Sequence, residues 1–286
     1  MADAVTGQVI GVCMKWVALR PDVDAVAATV MSDDRFAGAS ASDRAALEWA
    51  LRLAERRGAT VTVVSVGPAG AEQLLREALA CGAHRGVRVD SGLPADRQPT
   101  SRAVATALAQ VLRGAALVLC GDWSLDRGSA SVPAFLAGEL GIGQACGLVA
   151  LDDDEALVIH AERRLDGGYR QRLRIDGPAV LSVEGVVARL RRAPLSSVLA
   201  AQRAAVEVEH QSLPQHDDGV RLVHTSAFRP PAHVLMGPEP SSSVRSRVEQ
   251  LTGSMSERVP PQKLVLGPED AADRIIEQLR SWGELE

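Results

Sequence analysis

The residues best suited to chemistry lie in one stretch, Leu117 to Leu140, LVLCGDWSLDRGSASVPAFLAGEL. Gly121, Asp122, Asp126, Gly128, Ser129 and Ser131 separate a short apolar run, Leu117 to Cys120, from a segment of helical period marked by Phe135, Leu136 and Leu140. A strand that passes through a Gly/Asp/Ser loop into a helix points free backbone N–H groups, and the positive end of the helix dipole, at the carboxyl edge of a sheet. That arrangement holds phosphates, so the stretch is read as a nucleotide pocket. A plain βα loop would carry similar residues, because any such loop needs a turn and a cap, and Ser131 before Val132-Pro133 supplies the cap. Neither GxxxxGKS/T nor GxGxxG is present, and Gly121-Asp122-Trp123-Ser124 is followed by Leu125, so the loop is no nucleophile elbow. Lys15, at the end of the first apolar run, either faces a ligand phosphate or is an exposed loop lysine.

These groups need a scaffold, and the pattern of the chain predicts one. Val9–Met14 is a strand buried on both faces, and a polar stretch follows to Gly38. Ser42-Asp43 caps a helix to about Arg57, which Gly58 ends. Thr60–Val66 is the second strand, a helix covers about Ala71 to Ala80, and Val87–Val89 is a short third strand. A further helix presents Val104, Leu108, Val111 and Leu112, and the Leu117 strand comes next. Strands alternating with helices predict a doubly wound, mainly parallel α/β sheet, whose ligands bind where loops leave the carboxyl ends of its strands.

The style changes after Cys146. Cys146–Leu151, Ala156–Leu165, Tyr169–Ile175 and Ala179–Glu184 read as short strands, the middle two joined by Asp166-Gly167-Gly168, a hairpin signal. Asp152-Asp153-Asp154 reads as a solvated turn rather than a metal site. Arg189 to Arg203 is a linker with a surface helix, or a docking segment in which Leu195, Val198 and Leu199 stand beside a basic cluster. Residues 1–206 are therefore expected to form the α/β domain with its hairpin. Residues 207–286 form an extended arm with a partly disordered insert and a terminal helix packed on another chain. That helix opens at Pro268 and gathers Ala272, Ile275, Ile276, Leu279 and Trp282 on one face.

Composition removes several classes. The 286 residues carry 31 basic and 36 acidic side chains, a net charge of −5, which gives no global case for nucleic acid. Four cysteines without a CxxC pair or a histidine at ligand spacing indicate buried thiols rather than zinc or a disulfide framework. With no basic leader and no long apolar run, a cytoplasmic, soluble protein without membrane insertion is expected.

Laid end to end, these motifs resemble the β subunit of electron transfer flavoproteins. VCMKWV resembles the family's first strand, DRAALEWALRLAE its first helix, and VSVGPAGAEQLLREALACGAHRGVRV its second βαβ unit. LDRGSASVP occupies the position of the nucleotide loop, RRLDGGYRQRLRIDGPAVLSVEG resembles the hairpin and strand beyond it, and LVLGPEDAADRIIEQLRSWG the closing segment. The resemblance implies a fold of the adenine-nucleotide-binding HUP type and a heterodimer with an α subunit that carries the redox-active FAD. The chain itself would take AMP, a second FAD, or neither. Carried over by position, the pocket would draw on Cys13, Ser40 to Asp43, Val66 and Gly121 to Val132, with the phosphate over Ser129, Ala130, Ser131 and Val132; Lys15 joins it as a cofactor-binding candidate on its place after the first strand. Leu195, with Leu199 one turn on, would dock a flavin- or nicotinamide-dependent dehydrogenase, and electrons would pass on to a quinone-linked acceptor. The family's usual loop has Asn-Gln-Thr-Gly where this chain has Ala130-Ser131-Val132-Pro133. With the long insert after Pro231, such departures resemble an actinobacterial branch associated with the mycofactocin system. An electron carrier needs no acid, base or nucleophile of its own. Two readings from other classes stay open: a stand-alone adenine-nucleotide sensor, and a hydrolase or transferase using Asp122, Asp126 and Ser129.

Overall fold

The computed structural model of the chain describes residues 8–93, 99–154, 158–213, 241–252 and 263–283. It divides into two units, Met1–Phe228 and Arg229–Glu286.

In the first unit the strands are β1 (Val9–Cys13), β2 (Val17–Ala18), β3 (Asp22–Asp24), β4 (Thr29–Met31), β5 (Ala37–Gly38), β6 (Thr60–Val66), β7 (Arg85–Asp90), β8 (Leu117–Gly121), β9 (Gly143–Asp153), β10 (Ile159–Arg164), β11 (Arg170–Ile175), β12 (Ala179–Val183) and β13 (Glu207–His210). Its helices are α1 (Ala41–Arg57), α2 (Ala71–Cys81), α3 (Ser101–Leu112), α4 (Val132–Leu140) and α5 (Leu195–Arg203). Nine strands make one sheet in the order β11-β10-β9-β12-β8-β1-β6-β7-β13. From β9 to β13 every neighbour is parallel, while β10 runs antiparallel to both β9 and β11.

Why the central strands read as unbroken apolar runs follows from their burial on both faces. Ile10, Val12, Val61, Val63, Leu117, Leu119 and Leu181 pack with Leu47, Leu51, Leu74 and Leu75 of α1 and α2. The alternate residues Cys13, Val64, Val118, Cys120 and Val180 pack with Leu108, Leu112 and Leu136 of α3 and α4. Period-two alternation thus separates two cores. α5 lies against α2.

Several expectations need adjustment. The cap of α1 is Ser40, whose hydroxyl accepts the Asp43 N–H at 3.1 Å, so Ser42 and Asp43 sit inside the first turn and are buried. The stretch before α1 holds two small antiparallel ladders, β2 with β5 and β3 with β4; strands of two or three residues are too short to show a period. The Cys146 strand begins at Gly143 and runs to Asp153. Asp153 is accordingly no solvated turn residue: it is buried at the end of β9, and the Arg56 guanidinium of α1 pairs with it. The Asp166-Gly167-Gly168 turn joins β10 and β11 as the sequence implies. Glu207–His210, assigned to the start of the arm, is instead the sheet's last strand, parallel to β7.

In the second unit the described elements are α6 (Val244–Thr252) and α7 (Pro268–Ser281). Ile275, Ile276 and Trp282 of the expected apolar face are exposed. Residues 214–240 and 253–262, which include Pro231 and much of the stretch where the partly disordered insert is expected, lie outside the described residues.

One polar contact fastens the chain after β12 to α1. The Arg191 side chain and N–H both reach Glu48, at 3.0 Å each, and the guanidinium also bonds Glu55. Burial would raise the Glu48 carboxyl, but the bonds from Arg191 and Arg52 hold it below its usual value. An acid depressed in this way adds stability above its unfolded pKa, which is lost as pH falls through the folded value. Arg191→Ala is expected to lower unfolding free energy by about 1.5–3 kcal/mol, the range for a hydrogen bond to a charged group, because Glu48 keeps Arg52 and the backbone N–H but loses the guanidinium. Glu48→Gln in the same chain should recover part of that loss. Urea denaturation of the two variants checks both, and an unchanged midpoint for Arg191→Ala would refute the assignment.

Candidate functional site

Beside β1 the chain reverses the direction in which it builds the sheet. From β1 it adds β6 and β7 on one side, then returns to place β8 on the other. At such a reversal the connections from adjacent strands depart to opposite faces and leave a crevice at their carboxyl ends. Here α1 follows β1 onto one face and α4 follows β8 onto the other.

A buried carboxylate stands at the centre of this edge. Asp43, in the first turn of α1, accepts the Lys15 N–H at 3.0 Å through Oδ2 and also holds the Gly121 N–H. Burial raises its pKa to about 6 in spite of those hydrogen bonds. Beside it the Ser42 hydroxyl donates to the Trp123 carbonyl at 3.0 Å. A side chain at Gly121 would press on the start of α1, because a Cβ there would lie 2.4 Å from Asp43 Oδ1 and 2.6 Å from Ser42 Oγ. The start of α1 is thereby stitched to the ends of β1 and β8.

Lys15 extends the chain of contacts. Its ammonium donates to both oxygens of Asp126, at 2.6 and 2.8 Å. Burial works against the Asp126 charge, but the Lys15 ammonium beside it holds the carboxyl below its usual value. Lys15 therefore matches neither sequence expectation in full: its charge is committed to the β8–α4 loop, with a side chain 40% exposed. Arg127, the next cation, donates to the Pro99 carbonyl at 2.7 Å.

Beyond Asp126 the loop turns back over itself. Gly128 has φ +58°, and a Cβ on it would meet the Trp123 indole nitrogen at 2.6 Å. Ala130 also has a positive φ, +52°, an uncommon conformation for a residue with a Cβ. Ser131 precedes α4 as expected, yet its side chain makes no capping bond; the Ser129 and Ser131 hydroxyls bond each other at 3.0 Å. The first turn of α4 keeps backbone N–H groups without a side-chain cap, next to two hydroxyls, which is a donor set for an anion.

The remaining expected residues divide clearly. Ser40, Asp43, Gly121, Asp122 and Asp126 gather with Lys15 at the crevice, although Ser40 and Asp43 are buried beneath it. Asp122 sits at the mouth, its carboxyl raised by burial and by nearby Glu184. Cys13 reaches the crevice only through its backbone; its side chain is in the core with Cys120. Val66 and Val132 pack on that same core from the ends of β6 and α4. Leu195 and Leu199 are far more accessible, 73% and 51% exposed on α5. Ser42, Trp123 and Leu125 fall within the ranges carried over by position, Ser40 to Asp43 and Gly121 to Val132, but were not singled out as site residues. The two apolar residues are about half exposed in the loop, and a tryptophan and a leucine among loop polar residues were the available signal. Among the described residues no group of three or more His, Cys, Asp or Glu could hold a metal ion, and no helix is long and apolar enough to cross a membrane.

Comparison with known proteins gives consistent matches. The electron transfer flavoprotein domain family matches residues 27–214. Protein FixA of Bradyrhizobium diazoefficiens is 33% identical over 171 residues, 57% of this chain and 59% of that protein. The electron transfer flavoprotein subunit beta of Dictyostelium discoideum is 29% identical over 194 residues, 66% of this chain and 74% of its own length. The protein of the same name in Mycobacterium tuberculosis is 33% identical over 172 residues, 57% and 63% of the two chains. The match to FixA thus spans somewhat less than two thirds of that protein's length.

The elevated Asp43 pKa fixes a direction for stability. Between the ordinary value of 3.8 and about 6 the folded chain binds the proton that the unfolded chain releases, so this group's contribution falls as pH rises through that window. A shift of this size corresponds to about 3 kcal/mol. Urea denaturation at pH 4 to 7 should show Asp43→Asn losing this component of the pH dependence. An Asp43→Asn curve parallel to the parent's would count against a buried, titrating Asp43.

Proposed function

This chain belongs to the electron transfer flavoprotein domain family, and from that premise we propose that it is the β-type subunit of a heterodimeric electron carrier. It braces the FAD of an α-type subunit, takes electrons by way of a docked dehydrogenase, and passes them toward a quinone-linked acceptor. The observation that carries this reading is the switch-point crevice with the β8–α4 loop over it. A loop of small residues there ends on a helix with free first-turn N–H groups.

The donor set fits one phosphate group rather than a string of them. Ser129, Ser131 and the N–H groups at the start of α4 are neutral donors, Lys15 is already matched by Asp126, and Asp122 adds negative charge at the mouth. A second phosphate group would need a second set of donors beside this one, which favours AMP over a second FAD as the nucleotide of this chain. The flavin of the α-type subunit supplies the electron chemistry. This chain's residues bind, orient and exclude water.

A second surface suits the relay role. Leu195 and Leu199 are a turn apart on α5 and face solvent, and Arg191 anchors the preceding segment to α1. Exposed leucines on an anchored short helix suit a partner's apolar pocket.

Co-expression with an α-type subunit, followed by flavin spectroscopy and analysis of extracted nucleotide, tests the reading. A yellow heterodimer with one FAD and one AMP supports it. A colourless monomer that recruits no flavin-bearing chain, with AMP bound, replaces it with the nucleotide-sensor reading. In the heterodimer, Leu195→Ala should slow flavin reduction by a partner dehydrogenase at least tenfold, about the weight of one interface anchor, with flavin content unchanged. Equal rates in the variant and parent would refute the docking role. Ser131→Val should lower the AMP recovered from the purified complex, and an unchanged yield would move the phosphate elsewhere.

A further inference from the structure

The Asp43 carboxylate touches no part of the crevice surface, yet three of its walls meet on it. It belongs to α1, it accepts the N–H of Lys15 from the turn after β1, and it accepts the N–H of Gly121 at the end of β8. Lys15, placed by the first of these bonds, holds Asp126 in the middle of the β8–α4 loop. Ser42, one residue before Asp43, holds the Trp123 carbonyl at the start of that loop. The loop's other attachments are the Asp122 N–H to the Val183 carbonyl of β12 at 3.1 Å and Arg127 to the Pro99 carbonyl, while the Trp123 indole packs on Gly128 within the loop. We propose that Asp43 is a positioning residue, a buried latch that fixes the 122–131 loop over the crevice through Lys15 and Gly121, rather than a group that binds the nucleotide itself. This rests on the proposed function only in calling the crevice a nucleotide site.

Burial, which outweighs the two N–H groups that favour the carboxylate, makes the latch sensitive to protons. The charged or titratable groups around it are Lys15 beyond β1, the Cys120 thiol of β8, itself raised by Cys13 and by burial, and Asp122 just outside. Lys15 is the only cation in that set, and Asp126 shares its charge. An opened loop returns Asp43 to water, where it releases its proton at the ordinary carboxylate value. The closed state therefore holds that proton more tightly, and opening is favoured as pH rises through about 6.

Amide hydrogen exchange of the full chain, followed between pH 5 and pH 7 and expressed as protection factors, reads this directly. Protection at Lys15, at Gly121 and across the loop is expected to fall about tenfold over that range, the ratio set by linkage between the two proton affinities. The amides of β6 and β7 should keep their protection. Asp43→Asn keeps the shape but puts an amide donor where one of the two acceptors stood. It should lower protection at Lys15 or Gly121 at every pH and abolish the pH step. Gly121→Ala, which presses a Cβ on the same carboxylate, should loosen the loop in an otherwise folded chain.

Isothermal titration with AMP as the probe separates this proposal from the functional reading. Loss of AMP affinity in Asp43→Asn, with the exchange pattern above, supports the latch. Failure of the parent chain to bind AMP, with the same exchange pattern, counts against the nucleotide reading alone and still supports the latch. Loop protection that is independent of pH in the parent, or identical in parent and Asp43→Asn, overturns it.

Discussion

A carboxylate taken out of water at the start of α1 is the constraint on which the carboxyl edge depends. Burying Asp43 is costly, and the cost is offset by placing it where two backbone N–H groups from different strands need an acceptor. Because those groups belong to the ends of β1 and β8, the same contact fixes where the chain leaves the sheet at its reversal. Gly121 follows from this. Its missing side chain leaves the space that the carboxylate occupies, so residue type at one strand end is dictated by a side chain on a helix far away in sequence.

The switch point makes the crevice, but its chemistry comes from how charge is distributed there. Lys15 would be a natural phosphate ligand if it stood alone. Paired with Asp126, it is a strut, and the site is left with hydroxyls and backbone donors. The exposed leucines of α5, at 73% and 51% accessibility, lie on another helix of the first unit, which suits the proposed division between a bound nucleotide and a docking partner.

Elsewhere the structure uses pairs of similar design. Asp153 lies at the end of β9 against Arg56 of α1, and Glu48 of α1 holds Arg191 from the segment after β12. Both tie α1 to a region that follows it by about a hundred residues or more. The helix that carries the latch is therefore held by ionic contacts along its length as well as by its leucine and alanine face.

The amino-acid order by itself determined the alternation of strands and helices, the hairpin at Asp166-Gly167-Gly168 and the βα loop that would meet a ligand. Each is written locally: strands buried on both faces must be continuous runs, and a turn needs its glycines. It also carried the family resemblance, since that lies in ordered motifs. Only the tertiary structure decided that Asp153 is buried, that Glu207–His210 closes the sheet, and that Lys15 faces Asp126 rather than open solvent. It also moved the helix cap to Ser40. Those outcomes depend on contacts between residues far apart in the chain, and a carboxylate has the same sequence signature whether a guanidinium or water lies opposite. Periodicity reports which face of an element is apolar, but which polar group meets which is settled only when the faces are brought together.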